Sequence, residues 1–388
     1  MIGHILKLIW NKKGSNALMI IEIFLSFLVL FFVLAYVLFN LERTTAPMGF
    51  ETVDRWMVRL DNLGVLDSAE KVTTLKNLEE NLLSFEEIEE LSFTNNMVPF
   101  GGSTWSTGND DNDFEYHCYI VFVDYKLEST LGLNVIERRW YNEEDIIAPV
   151  KTLVINKAFA DKYFPEKSMI DSTIIFQEED HKIIGIVDAY RYKGEFEEDY
   201  PTFLLNNDFG DNHSTVLLKM KPGTPSSFEE KLSVAANRST NRTGNVIINL
   251  EKERKEDSRE SWMMFIALLS VCCFLCINVA LGLFGVLWYN ISKRKSEIGL
   301  RQALGAHGID ITKQFILEIM FLTMVGLALG IFFAVQVPLL KLTEYPDKMF
   351  YQAIAYASLI ILTLVFICAL FPSIQASKIT PANSLHED

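Results

Sequence analysis

Four stretches of this chain are apolar for longer than a soluble core requires. Ala17–Phe39 is broken only by Glu22 and Ser26. Trp262–Tyr289, Ile319–Leu340 and Met349–Ser377 contain no Asp, Glu, Lys or Arg. About 20 apolar residues cross the hydrocarbon of a bilayer, and buried helices of soluble proteins rarely need such runs. The chain therefore reads as an α-helical membrane protein with four transmembrane helices, at 17-40 and about 262-289, 309-340 and 349-376.

Charge sets the expected orientation, because Lys and Arg resist translocation. Met1–Asn16 carries Lys7, Lys12 and Lys13 and no acid. With Ile2, Ile5, Leu6, Ile9 and Trp10 it forms an amphipathic helix suited to the lipid of the inner leaflet. The apolar run behind it is too long for a signal peptide and lacks a small-x-small cleavage site, so an uncleaved anchor is expected. Ser292–Gly308 carries Lys293, Arg294, Lys295 and Arg301 against one acid, Glu297. Lys293, Arg294 and Lys295 act as a basic flank that holds this loop, 290-308, inside. The tail 377-388 is also inside, so both termini are cytoplasmic. Glu22 is expected to reach for the nearby interface.

The region between the first two spans is a different body. Leu41–Glu260 holds 42 acids and 24 bases, against 8 and 11 in the rest of the chain. That balance argues against nucleic acid as a partner, since phosphate contacts need a basic surface. With the N-terminus inside, this domain, 41-250, is extracytoplasmic. Trp56, Val58 and Leu60 alternate as in a strand, and Ser68–Leu83 has helical spacing with Ser68 available as N-cap. Ile88–Phe93 is a further strand. Phe100–Asp113 reads as an exposed loop. Strands are expected at Tyr119–Val123, Leu153–Ile155, Thr173–Phe176, Lys182–Val187 and Thr215–Met220. Lys157–Phe164 and Phe228–Asn237 are helices, and Val246, Ile248 and Leu250 alternate again. Strand–helix–strand at each end thus brackets a β-rich middle. That pattern predicts an α+β domain of two subdomains, with the outer halves folding together. The charged run 251-261 reads as a helical stalk leading into the second span.

Sites of chemistry are few. No G-x-x-x-x-G-K-[ST] phosphate loop and no H-E-x-x-H motif occurs. The six histidines are scattered, His117 beside Cys118 being their only close pairing, and two ligands do not make a zinc site. Glu178-Glu179-Asp180 and Glu197-Glu198-Asp199 fit solvated loops better than a cation site. Cys118 is alone in its domain, and Cys272, Cys273, Cys276 and Cys368 lie in spans as small apolar residues. No catalytic residue, metal ligand or cofactor of this chain is assigned. Gly326 and Gly330, four apart in the third span, suit a close helix–helix approach.

The loop Lys293–Ala306, K-R-K-S-E-I-G-L-R-Q-A-L-G-A, resembles the signature loop of FtsX-like and MacB-like ABC transporter permeases, the type VII or mechanotransmission class. Their pattern reads R-x-x-E-I-G-x-R-x-A-L-G-A. V-I-N-K-A-F-A-D-K-Y-F-P at Val154–Pro165, I-I-G-I-V-D at Ile183–Asp188 and R-W-Y-N-E-E-D at Arg139–Asp145 are similar to the MacB-type periplasmic core domain, although Arg138 stands where Gly is commoner. S-K-I-T-P-A-N-S-L at Ser377–Leu385 is similar to the family's tail, with Ser384 in place of the usual Ala.

The resemblance implies a permease domain over 262-388 and a multi-pass protein of the bacterial inner membrane. It implies a non-catalytic subunit paired with a second permease, as homo- or heterodimer, above two ABC ATP-binding subunits that hold ATP and Mg. The loop would act as a coupling helix, with Glu297, Ile298, Gly299, Arg301, Leu304, Gly305 and Ala306 at the ATPase. MacB carries its ATPase fused at the N-terminus; Met1–Asn16 leaves no room for one, so a separate ATPase chain is expected. Export or extraction of a substrate from the periplasmic side follows, with a periplasmic adaptor and outer-membrane channel as further partners. The alternative is a regulatory module that activates a cell-wall hydrolase or a signalling partner.

Overall fold

The computed structural model describes residues 13–377 apart from 62, 64–65, 96, 102, 110–114, 147, 166–168, 178, 207–213, 295–297, 299, 301–303, 305–306 and 344. In chain order its elements are α1 (Lys13–Thr45), β1 (Arg55–Arg59), α2 (Ser68–Leu83), β2 (Ile88–Thr94), β3 (Ser106–Asn109), β4 (Tyr116–Val123), α3 (Leu127–Leu131), β5 (Val135–Arg138), α4 (Glu143–Ile146), β6 (Lys151–Asn156), α5 (Lys157–Tyr163), β7 (Thr173–Phe176), β8 (Glu179–Val187), β9 (Thr202–Asn206), β10 (Thr215–Met220), α6 (Phe228–Thr240), β11 (Val246–Asn249), α7 (Leu250–Lys293), α8 (Gly308–Leu339) and α9 (Asp347–Ser377). They fall into a helical unit, residues 1–42 and 263–388, and an α/β unit, Arg43–Trp262.

In the α/β unit the two outer strand–helix–strand segments build one antiparallel sheet in the order β11-β1-β10-β2. This is the split β-α-β pattern of ferredoxin-like folds, and everything from β3 to β9 is inserted between its second and third strands. Strand side chains alternate between faces, and both faces of this sheet are covered. Trp56 and Val58 face Leu75, Leu78 and Leu82 of α2 and Phe228 and Leu232 of α6. Met57 and Leu217 point the other way, into a core shared with Val121, Val154 and Leu204 of the inserted part.

The insertion is a seven-stranded mixed sheet, β3-β4-β9-β6-β8-β5, with β7 also on β8. β4 runs parallel to β9 and β6 parallel to β8. Its second face is closed by Phe159 of α5, packed against Tyr116, Ile155, Phe176 and Phe203. Two subdomains with the outer halves paired thus hold in detail. Several local expectations change. Asp67, not Ser68, caps α2, its side chain accepting from the Glu70 amide at 2.8 Å. The segment read as the loop Phe100–Asp113 contains β3, and Phe100 is buried. β9 was not anticipated at all.

Among the described residues, four helices are long and apolar enough to cross a membrane. On α1 the residues Met19, Ile23, Phe27, Phe31 and Ala35 recur every fourth position and are buried, whereas Leu18, Ile21, Leu25 and Phe32 face outward. Ala353, Ala357, Ile361, Val365 and Ala369 form the matching stripe of α9. The helices run beyond most of the expected bounds: α1 spans Lys13–Thr45, α7 ends at Lys293, α8 spans Gly308–Leu339 and α9 spans Asp347–Ser377. The charged run 251-261 and the second span are one unbroken helix of 44 residues, a length of about 66 Å at 1.5 Å per residue.

Candidate functional site

The connection between α7 and α8 is the candidate site. Glu297, Gly299, Arg301, Gly305, Ala306 and Lys295 lie outside the described residues. Among the described residues of this stretch are Arg294, Ile298, Leu300 and Leu304. The Ile298 amide bonds the Arg294 carbonyl at 2.9 Å and the Leu304 amide bonds that of Leu300 at 3.0 Å, both four residues back. Four-residue spacing of this kind is the α-helical pattern.

The root of the connection is anchored. Arg294 donates to both carboxylate oxygens of Glu318 on α8, at 3.0 and 3.2 Å. The two side chains are only 11% and 12% exposed. The guanidinium also stands 5.7 Å from the Phe315 ring centre, within range of a cation–π contact. Ile298 turns inward and is buried with Ile291, Ile311 and Phe315. Arg294 therefore does structural work beyond the flank expected from charge alone. Lys293 lies over the Tyr289 ring at 4.6 Å.

The other face is open. Leu304 is 80% exposed and Leu300 60%. The two are one helical turn apart and both present apolar side chains, whereas Arg294 and Ile298 are packed against α7 and α8. The sequence reading singles out Leu304 but not Leu300, whose position the family pattern leaves free; their i,i+4 relation is the signal that pairs them.

Residues 25–233 match the family model described as MacB-like periplasmic core domain, and residues 263–381 the one described as FtsX-like permease C-terminal. The chain belongs to the MacB-like permease family. It is similar to the macrolide export ATP-binding/permease protein MacB of Bartonella quintana, 24% identical over 71% of this chain and 43% of the relative. It is likewise similar to the MacB of Bartonella henselae, 24% identical over 82% of this chain and 49% of that one. The chain thus spans about half the length of the curated relatives it matches. Among solved structures, the periplasmic region of MacB from Actinobacillus actinomycetemcomitans aligns with a TM-score of 0.38 and 12% identity, covering 54% of this chain and 94% of that one. The extracellular domain of the transporter YknZ from Gram-positive bacteria aligns at 0.36 and 13%, over 50% of this chain and 100% of the other.

Within the permease's helical unit the two glycines of the third span face α1. A Cβ on Gly326 would lie 2.9 Å from Ile23 Cγ2, and one on Gly330 only 2.4 Å from Phe27 Cδ1. Bare backbone at both positions lets the helices close on each other. The Glu22 carboxyl lies against α7, where a Cβ on Gly282 would be 2.4 Å from Glu22 Oε1.

Two half-buried carboxyls stand out in the α/β unit. Asp124 accepts from Ser92 Oγ at 2.6 Å, the Phe93 amide at 2.7 Å and the Lys126 amide at 3.0 Å, joining β2 to the segment after β4. Asp199 accepts from Asn156 Nδ2 at 2.9 Å and the Tyr190 amide at 3.1 Å. Burial outweighs these bonds and pushes each carboxyl up to about 6. Asn156 also receives the Phe159 and Thr202 amides on its side-chain oxygen, so it caps α5 and seats β9 together. These groups are bonded internally, a structural use of polar side chains.

Proposed function

We propose that the chain is the membrane-spanning permease subunit of an ABC assembly. A separate ATPase subunit holds ATP and Mg and seats on the connection between α7 and α8 from the cytoplasmic side. Its cycle of closure and opening moves the α/β unit, which stands outside the membrane, and so drives export or extraction of a substrate from the periplasmic side. Both chain termini are then cytoplasmic. A second permease completes the assembly, and a periplasmic adaptor and an outer-membrane channel are the further partners that such export would use.

The observation that carries this reading is the asymmetry of the connection. Arg294 and Ile298 fix one face to two membrane helices, while Leu300 and Leu304 stay open on the other. A push on the open face is therefore delivered to α7 and α8 instead of being absorbed by a slack loop. Relatives named for macrolide export favour outward transport over a purely regulatory role. The sequence has no phosphate-binding loop, in keeping with ATP chemistry in another chain.

The test is co-purification of the ATPase with the full chain carrying Glu297→Ala or Arg301→Ala. Loss of the complex, or loss of permease-stimulated ATP hydrolysis, is expected. Retention of both at the level of the parent would refute the coupling role.

A further inference from the structure

Residues 191–198, R-Y-K-G-E-F-E-E, form no regular element, yet they are tied down on two sides. All the contacts that follow lie within the α/β unit, whose bounds take in the last turn of α1 and the first turns of α7. Arg191 is 4% exposed. It donates through Nη1 to the carbonyls of Arg43 and Ala46, at 2.9 and 3.0 Å. Through Nη2 it donates to those of Glu195 and Glu197, at 2.6 and 2.7 Å, and through Nε to Glu197 again at 3.1 Å. Its amide bonds the Met48 carbonyl at 3.0 Å. One guanidinium thus caps the end of α1, whose last carbonyls lack partners within the helix, and closes its own segment into a ring. Arg43 returns the contact, donating to the Phe196 carbonyl at 3.0 Å and pairing with Glu198.

The opposite side of the same segment meets the charged start of α7. Arg254 Nε lies 3.4 Å from a Glu195 carboxylate oxygen. The Phe196 ring meets Trp262 edge-on, with centres 5.6 Å apart. Gly194 has a φ of +114° and passes so close to α7 that an added Cβ would be 2.5 Å from Asp257 Oδ2. Only glycine combines that backbone with that approach.

We infer that residues 191–198 are a strap that binds the outer ends of α1 and α7 into one joint, with Arg191 as its positioning residue. On the reading that α7 is driven from its other end, displacement of α7 at Arg254–Trp262 carries the end of α1 with it. Five directed donors on a rigid plane suit this task. A lysine has one flexible ammonium and cannot reach two sets of carbonyls at once.

Spin labels at Ala46→Cys and Lys255→Cys test the strap. The full chain is placed in lipid nanodiscs, with its native cysteines replaced by serine. The parent is expected to give a narrow distance distribution that is the same without the ATPase, with it, and with it trapped by ATP and vanadate. Arg191→Ala should broaden the distribution and shift it outward even without the ATPase. Arg191→Lys should not restore it, and Phe196→Ala should broaden it less. A distribution like the parent's in folded Arg191→Ala overturns the strap. If that variant does not fold, a parental distribution in both Arg191→Lys and Phe196→Ala overturns it equally. The driven-helix reading fails separately: its failure is the absence of any nucleotide response from a label pair spanning α7 and α8 in the parent, whatever the strap variants do.

Discussion

Arg294 and Glu318, 24 residues apart, share a two-point ion pair almost out of solvent, at the place where α7 ends and α8 is three turns old. Removing one member of such a pair leaves the other charge buried and costs about 3–5 kcal/mol. Glu318→Ala should therefore lower the melting temperature of the purified chain markedly and also release the connection. The exchange Arg294→Glu with Glu318→Arg should recover part of that loss. Equal melting of Glu318→Ala and the parent would show that the pair anchors nothing.

The open face makes the opposite kind of prediction. Leu300→Ser and Leu304→Ser should leave melting unchanged, because both side chains face solvent. If the ATPase covers them, each loses about 2 kcal/mol of apolar burial, or roughly thirtyfold in affinity. Titration of the ATPase against the nanodisc-embedded chain measures this. Undiminished affinity in the double variant would move the docking face elsewhere.

Gly330→Val should be worse than Gly326→Val. The first overlaps the Phe27 ring deeply, whereas the second meets Ile23 Cγ2 at 2.9 Å and the Ile20 carbonyl oxygen at 3.2 Å, a shallower clash. Overpacking of this sort costs about 1–3 kcal/mol. Combining Gly330→Val with Phe27→Ala should restore thermal stability toward the parent. No rescue would mean that α1 and α8 do not meet at these positions.

Asp124 and Asp199 imply a pH dependence with a definite sign. Burial raises each from the ordinary 3.8 to about 6, so the folded chain holds protons that the unfolded chain has released. Their contribution is fully present below pH about 4 and is lost as the pH rises through about 6. Asp145, held down by its bond to Arg139, has the opposite sign, but its window lies below its ordinary value. Between pH 4.5 and 7 these two carboxyls favour the fold on acidification, while His181, held below its ordinary value by burial, opposes them. The double variant Asp124→Asn, Asp199→Asn should therefore gain less stability, or lose more, than the parent on acidification in thermal unfolding. Parallel slopes would contradict the assignment.

What was legible in the sequence was whatever repeats. Long apolar runs, three of them free of charge, exposed the four membrane helices. The two strand–helix–strand segments revealed the outer halves of the α/β unit, because Trp56, Val58, Leu75, Leu78 and Leu82 keep a strict period. β3 was hidden because Ser-Thr-Gly-Asn has the composition of a loop and is a strand only by pairing with Tyr116–Tyr119. β9 is five residues long with its three apolar residues, Phe203, Leu204 and Leu205, in one run, leaving no alternation to read.

The site was legible to the same degree. The loop's charge and motif located it, but not the partner of Arg294, because long-range pairing leaves no trace in spacing. Arg191 was invisible for a further reason. It binds main-chain carbonyls, which every residue possesses and which no residue type announces.

The position of β1 beside β11 has a mechanical side. The two strands are antiparallel, and Trp56, near the start of β1, sits opposite Asn249, the last residue before α7. Tension applied at those neighbouring ends would load the ladder as a zip, one rung at a time, the direction in which a sheet resists least. Thr52, whose hydroxyl bonds Glu251 at 2.6 Å, and the strap around Arg191 lie ahead of the first rung. They would take up the tension before the sheet does, so the strand pair that joins the two membrane-bound ends need never open.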